Sequence, residues 1–169
     1  TAYAVVKQLH GTLWCTDWDG YQGGYEDHVL ARLAKVAHRE NVNYILVESN
    51  FGDGMFCRLF EPVLRKYHKV GVTEQRAHGQ KELRLIDTLE PALNQHKVVI
   101  DRDIVEGELR WIDQDVKNLP YSTFYQMTRL TNERGALKHD DRLDALAMVV
   151  AYWQRAMGQD EEIMQEQRR

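Results

Sequence analysis

Asn43-Tyr44-Ile45-Leu46-Val47-Glu48, running on into Ser49-Asn50-Phe51-Gly52-Asp53-Gly54, decides how this chain is read. A short and nearly continuous apolar run is what a central strand covered on both faces requires. Asn50, Gly52 and Gly54 then make a tight exit and a helix cap, and a helix is predicted over Met55–Tyr67. Upstream, Val29, Leu30, Leu33, Ala34 and Ala37 recur at helical spacing and predict a helix over Asp27–Arg39. Before it, residues 1–10 and 12–17 form a hairpin that turns at Gly11, and 21–25 is a loop. Downstream, the sequence predicts a strand at 69–72, a polar and basic loop at 76–81, and a helix to about His96 that breaks or kinks near Pro91. A short strand at Val98–Ile100 follows. A helix over 101–118 has Ile104, Leu109 and Ile112 inward and is ended by Pro120. Residues 121–130 fit a short helix or an extended segment equally well, 132–135 is a turn, and a last helix covers 140–156. Strands alternating with helices after an opening hairpin indicate an α/β protein with a mixed sheet and helices on both faces. Such sheets collect functional groups at the carboxyl ends of central strands, where Glu48 stands; a solvated strand edge is the simpler reading of Glu48 alone.

The second informative stretch is His139-Asp140-Asp141-Arg142-Leu143-Asp144-Ala145-Leu146-Ala147. Leu143, Leu146, Ala147, Val150 and Trp153 form the buried stripe of the last helix. Asp141 and Asp144, three apart, share one face and can approach one ion. Acids at a helix start also cap free N–H groups and suit the helix dipole, which alone accounts for Asp140. Asp144 lies a turn further in, where capping fades. Glu48, Asp141 and Asp144 together are oxygen donors from separate elements, with no Cys cluster beside them, and suit Mg²⁺ or Mn²⁺. Two such ions about 4 Å apart can hydrolyse a phosphodiester. His139 reads as a helix cap or as a group polarising water. Arg76, His78, Lys81 and Arg84 make a basic cluster that fits DNA phosphates or a solvated loop and helix face. No G-x-x-x-x-G-K-[ST] pattern occurs, so there is no visible ATP-binding loop.

The 169 residues suit one domain, and 43% hydrophobic with 28% charged residues is an ordinary globular composition. A net charge of −4 argues against a surface covered in nucleic-acid-binding charge, though metal ions and a local basic strip leave a nuclease open. Cys15 and Cys57 form no metal or redox motif, and a reducing compartment is expected. No apolar run is long enough to span a bilayer, and no signal peptide is visible. The first residue is not Met, which reads as a fragment or a processed chain.

With Val47-Glu48-Ser49-Asn50-Phe51-Gly52-Asp53-Gly54-Met55-Phe56, Phe124-Tyr125-Gln126-Met127-Thr128-Arg129 and His139 to Ala147 all present in order, the chain resembles the nuclease domain of the large terminase subunit of T7-like tailed bacteriophages. The resemblance covers nearly all of residues 1–169. It implies an RNase H-like (RuvC-type) fold and metal-dependent cleavage of concatemeric viral DNA during packaging in the host cytoplasm. The implied partners are double-stranded DNA, the portal protein, the small terminase subunit and the ATPase domain of the same polypeptide. Glu48 matches the family's second-strand acid, and Asp141 and Asp144 match its final acid pair; Asp140 and His139 become supporting or alternate groups. The family's first aspartate, on an opening strand, would precede Thr1, and neither Asp17 nor Asp19 replaces it. The expectation is therefore an N-terminally truncated domain that cuts poorly as written. A junction-resolving nuclease of the same fold, or a nuclease-inactive module that binds DNA or the portal, are the alternatives.

Overall fold

The computed structural model describes residues 1–49 and 54–166, with side chains through residue 159. Asn50 and Gly52, expected at the strand exit and cap, lie outside the described residues. The chain divides into two compact units, one made of Thr1 and Gly20–Gly79, the other of Ala2–Asp19 and Gln80–Arg169.

The first unit holds α1 (Asp27–Arg39), β3 (Ile45–Glu48), α2 (Met55–Tyr67) and β4 (Val72–Gln75). β3 and β4 run parallel, with Ile45 opposite Val72 and Glu48 opposite Gln75. The strand expected at 69–72 thus begins three residues later. The Ile45 N–H donates to the Gly71 carbonyl at 3.3 Å, and regular pairing starts only after that glycine. Thr73, Glu74 and Gln75 have no apolar alternation and so carry no periodic signal. Leu30, Ala34 and Ala37 of α1 pack with Phe60 and Leu64 of α2, and Ile45 and Val72 join this core. α2 starts at Gly54, whose φ of 81° disfavours any residue with a Cβ. A Cβ there would also meet the Glu74 carboxylate at 3.0 Å.

The second unit is built on β1 (Ala2–Leu9), β2 (Thr12–Gly20) and β5 (Val98–Ile100), in the order β1-β2-β5. His10 and Gly11 link β1 to β2 with φ of 51° and 78°, the double positive φ of a two-residue antiparallel hairpin. β5 joins β2 in parallel, with Trp14 opposite Val99, so this sheet is mixed as expected. Val5 and Val6 are both buried although they point to opposite faces, and β1 is covered on both sides. α3 (Lys81–Asn94), α4 (Arg102–Gln114), α5 (Thr123–Arg129) and α6 (Asp141–Glu166) complete the unit. Pro91 falls in the last turn of α3 and does not end it. Leu143, Leu146, Ala147 and Val150 are buried against Leu13, Cys15, Leu85 and Leu89, which bears out the stripe read from the sequence. Trp153 packs at the edge of this core, and its indole N–H donates to the Val6 carbonyl at 3.4 Å.

Two expectations change here. The helix placed over 101–118 ends at Gln114, because Asp115 is extended and its carboxylate accepts from the Lys117 N–H to start a 3-10 turn over Val116–Tyr121. Leu109 faces solvent at 55% exposure, and Glu108 is buried in its stead. Ile104, Glu108 and Ile112 are the true inward row at four-residue spacing. Residues 123–129 resolve as helix, with the Ser122 hydroxyl accepting from the Tyr125 N–H at its start.

Candidate active site

The first turn of α6 is held from three directions by one residue, Arg142. Its guanidinium donates to Glu108 Oε1 at 3.2 Å and to Asp19 Oδ1 at 2.8 Å, and lies 4.8 Å from the centre of the Trp111 ring. Its carbonyl accepts from the Trp18 indole at 2.7 Å. Glu108 also accepts from the Thr123 N–H at 2.6 Å and the Phe124 N–H at 3.1 Å. Those are the first N–H groups of α5, which have no partner within their own helix. One buried carboxylate therefore ties α4, α5 and α6 together. The side chains of Glu108 and Arg142 are 4% and 11% exposed, so this pair is shielded from water.

The acids flanking Arg142 are placed by that anchor. Asp140 occupies the N-cap position of α6, its carbonyl accepting from the Asp144 N–H at 3.0 Å. Its carboxylate is turned to Lys81 Nζ, 2.8 Å away, rather than to the helix. Asp144 is buried, with Oδ1 accepting from Arg84 at 2.8 Å and Oδ2 lying 3.2 Å from Lys81 Nζ. Burial works against the Lys81 charge, but its hydrogen bond to Asp140 and the attraction of Asp144 and Asp140 outweigh it and raise its pKa. Asp141 is exposed and forms no ion pair among the described residues. His139 stacks on Tyr121 with ring centres 4.1 Å apart.

The start of α3 is bound to the segment before α6 at several further points. Gln80 donates to the Asn132 carbonyl at 3.0 Å, and Glu82 accepts from the Gly135 N–H at 2.7 Å. This contact lowers the Glu82 pKa. Lys81 and Arg84 are 35% and 30% exposed in their side chains. Ion pairs this open to water contribute about 0–1 kcal/mol each, so backbone stitching and core packing hold α3 in place.

Of the other residues singled out by sequence, Glu48 closes β3 in the first unit, half-buried, with Ser49 N–H donating to the Gln75 carbonyl at 3.1 Å just after it. Arg76 and His78 follow β4 in that unit and are exposed; Lys81 and Arg84 belong to the second unit. Asp17 accepts from the Tyr3 hydroxyl at 3.2 Å within the hairpin, and Asp19 serves Arg142. Cys15 and Cys57 are free thiols, both buried. Burial, reinforced by the Asp17 carboxylate, pushes the Cys15 thiol up to about 12 and makes it a poor nucleophile.

The donor set at α6 suits a hard cation. All its oxygens are carboxylate, and a positive charge already bridges two of them in the form of the Lys81 ammonium. Among the described residues, no group of three or more His, Cys, Asp or Glu side chains is gathered to hold a metal ion.

What sequence reading missed is that Lys81 and Arg84 are turned onto the α6 acids, and that Glu108 and Arg142 anchor them. Lys81 meets Asp140 across 59 positions and Arg84 meets Asp144 across 60, and no local pattern reports such contacts. Glu108 did carry a signal, because it stands on the inward row between Ile104 and Ile112.

Residues 1–98 match the family model described as Terminase Bacteriophage T7, Ribonuclease H-like domain. The pair Asp141 and Asp144 lies beyond that match. The terminase large subunit of Enterobacteria phage T3 is 44% identical over 162 residues, covering 95% of this chain and 28% of that protein. The chain thus spans little more than a quarter of that relative's length. With more than half of its residues matched, this mixed α/β chain belongs to the T7 terminase ribonuclease H-like domain family.

Proposed function

We propose that the chain is the metal-dependent endonuclease domain of a phage DNA-packaging terminase, cutting concatemeric double-stranded viral DNA. Family membership supports the nuclease class, and the observation that carries the site is the set of acids held at the start of α6 by Arg142. In this reading residues 1–169 belong to the nuclease domain, and Glu48, Asp141 and Asp144 are its metal ligands. Mg²⁺ or Mn²⁺ ions, two per site, would supply an activated water and stabilise charge on the leaving oxygen. The chain's part is to present the carboxylates rigidly. Leu143, Leu146 and Ala147 lock the helix behind Asp144, and Arg142 fixes its first turn. Lys81, Arg84 and, from the first unit, Arg76 are the phosphate-binding groups. His139 and Asp140 support the acids from the side.

The partners in this reading are double-stranded DNA, the portal protein, the small terminase subunit and the ATPase domain of the same polypeptide, all in the host cytoplasm. No helix among the described residues is long and apolar enough to cross a membrane. A nuclease-inactive DNA- or portal-binding module is the second reading, favoured by the absence of a three-acid group among the described residues.

Supercoiled plasmid, linear duplex and a four-way junction, each incubated with Mn²⁺, separate the alternatives. The nuclease reading expects cleavage of plasmid and duplex, with little preference for the junction. Selective junction cleavage would point to a resolvase. Binding of duplex without cutting would leave the inactive module.

A further inference from the structure

Both carboxylate oxygens of Asp144 are already occupied, Oδ1 by Arg84 at 2.8 Å and Oδ2 by Lys81 at 3.2 Å. Lys81 also holds Asp140 Oδ1 at 2.8 Å. A divalent cation binds a carboxylate through these same oxygen lone pairs. Each oxygen keeps a second lone pair, but a cation there would meet the positive charges of both side chains at close range, so their departure favours the metal. The two basic groups come from the first turn of α3, on long flexible stems about one-third exposed. The neighbouring Arg142 differs. Its side chain is 11% exposed, with two carboxylates and an indole ring around it, and it stays where it is.

We propose that Lys81 and Arg84 are place-holders for the metal. They neutralise Asp140 and Asp144 until a divalent cation arrives, and the displaced ammonium and guanidinium then bind phosphates of the DNA to be cut. The inference rests on the nuclease reading above and deepens it. Metal and DNA then bind with positive coupling, and the coupling is reciprocal. Without metal, two positive charges are cancelled inside the protein; with metal, the same two face the DNA. Each phosphate contact adds roughly 0.9 to the slope of log affinity against log salt, so two released groups add roughly 1.8.

The test compares the wild-type chain with the double variant Lys81→Gln/Arg84→Gln. Binding of a fluorescent duplex is followed by anisotropy across a salt series, once in EDTA and once in fixed Ca²⁺, with the duplex checked intact on a gel. Comparing proteins at the same Ca²⁺ cancels the ion's own competition for DNA. The expected result is equal slopes for both proteins in EDTA, and a wild-type slope steeper by roughly 1.8 in Ca²⁺. In parallel, nitrogen-15 resonances of the Lys81 ammonium and Arg84 guanidinium are followed in the wild type as Ca²⁺ is added, alongside the carboxylate carbons of Asp141 and Asp144. The proposal expects all four to move together. Carboxylate shifts with Lys81 and Arg84 unmoved, or equal slopes in Ca²⁺, would overturn the place-holder role and leave the nuclease reading standing. Unmoved carboxylates at saturating Ca²⁺ would remove the metal site, and this inference with it.

Discussion

Asp144→Asn should abolish Mn²⁺-dependent plasmid cleavage while the protein stays folded. Asparagine has nearly the volume of aspartate and keeps an oxygen to accept from Arg84, so the core behind it, Leu143, Leu146 and Val150, is untouched. What the substitution removes is the charge that would hold a divalent cation. Metal-assisted phosphodiester hydrolysis draws several kcal/mol of transition-state stabilisation from its ions. Losing about 4 kcal/mol of it corresponds to roughly a thousandfold in rate. The measurement is the initial rate of nicking, with circular dichroism to verify the fold. A folded variant that cuts at the wild-type rate would take Asp144 out of the site. Because Asp144 pairs with partly exposed cations, its loss should change stability little.

The opposite profile is expected of Glu108→Ala, a residue remote in sequence from every acid considered catalytic. Its carboxylate takes two backbone N–H groups of α5 and the Arg142 guanidinium in a buried setting. Truncation leaves two N–H groups and part of a buried positive charge without an acceptor. Breaking such a pair from one side costs about 3–5 kcal/mol. For a chain of 169 residues this is a fall in melting temperature of roughly 6–20 °C. Glu108→Gln retains one acceptor oxygen and should fall between Ala and wild type. A melting temperature within a degree or two of wild type for Glu108→Ala would show that Asp19 and Trp111 alone suffice to hold Arg142.

These two residues mark what the sequence could and could not disclose. Asp144 stood out because it breaks an apolar helical stripe one turn past the point where capping has value. Helix α1 and the positions of α2 and β5 followed from periodicity, and the α6 stripe is buried as its spacing required. β4 was misplaced because an edge-like strand of Thr, Glu and Gln has no pattern to read. Leu109 was assigned inward by hydrophobicity alone, although Ile104 and Ile112 already fixed the inward row and put Glu108 on it. The Lys81 and Arg84 contacts could not be read at all, since long-range ion pairs leave no periodic trace. In sequence the basic cluster seemed to run from Arg76 to Arg84; in the structure it is divided between two units, and its second half is turned onto acids. The resemblance rests on the stretches 47–56, 124–129 and 139–147, and the family match covers residues 1–98, which contain only the first of them.

Asp141 and Asp144 are proposed to bind divalent metal together with Glu48. Crystals soaked in Mn²⁺, with diffraction recorded for the anomalous signal of manganese, test this. The expected result is a peak about 2.0–2.2 Å from oxygens of Asp141, Asp144 and Glu48, with Lys81 and Arg84 displaced from Asp144. A map without that peak at saturating Mn²⁺, Lys81 still bridging Asp140 and Asp144, would contradict it.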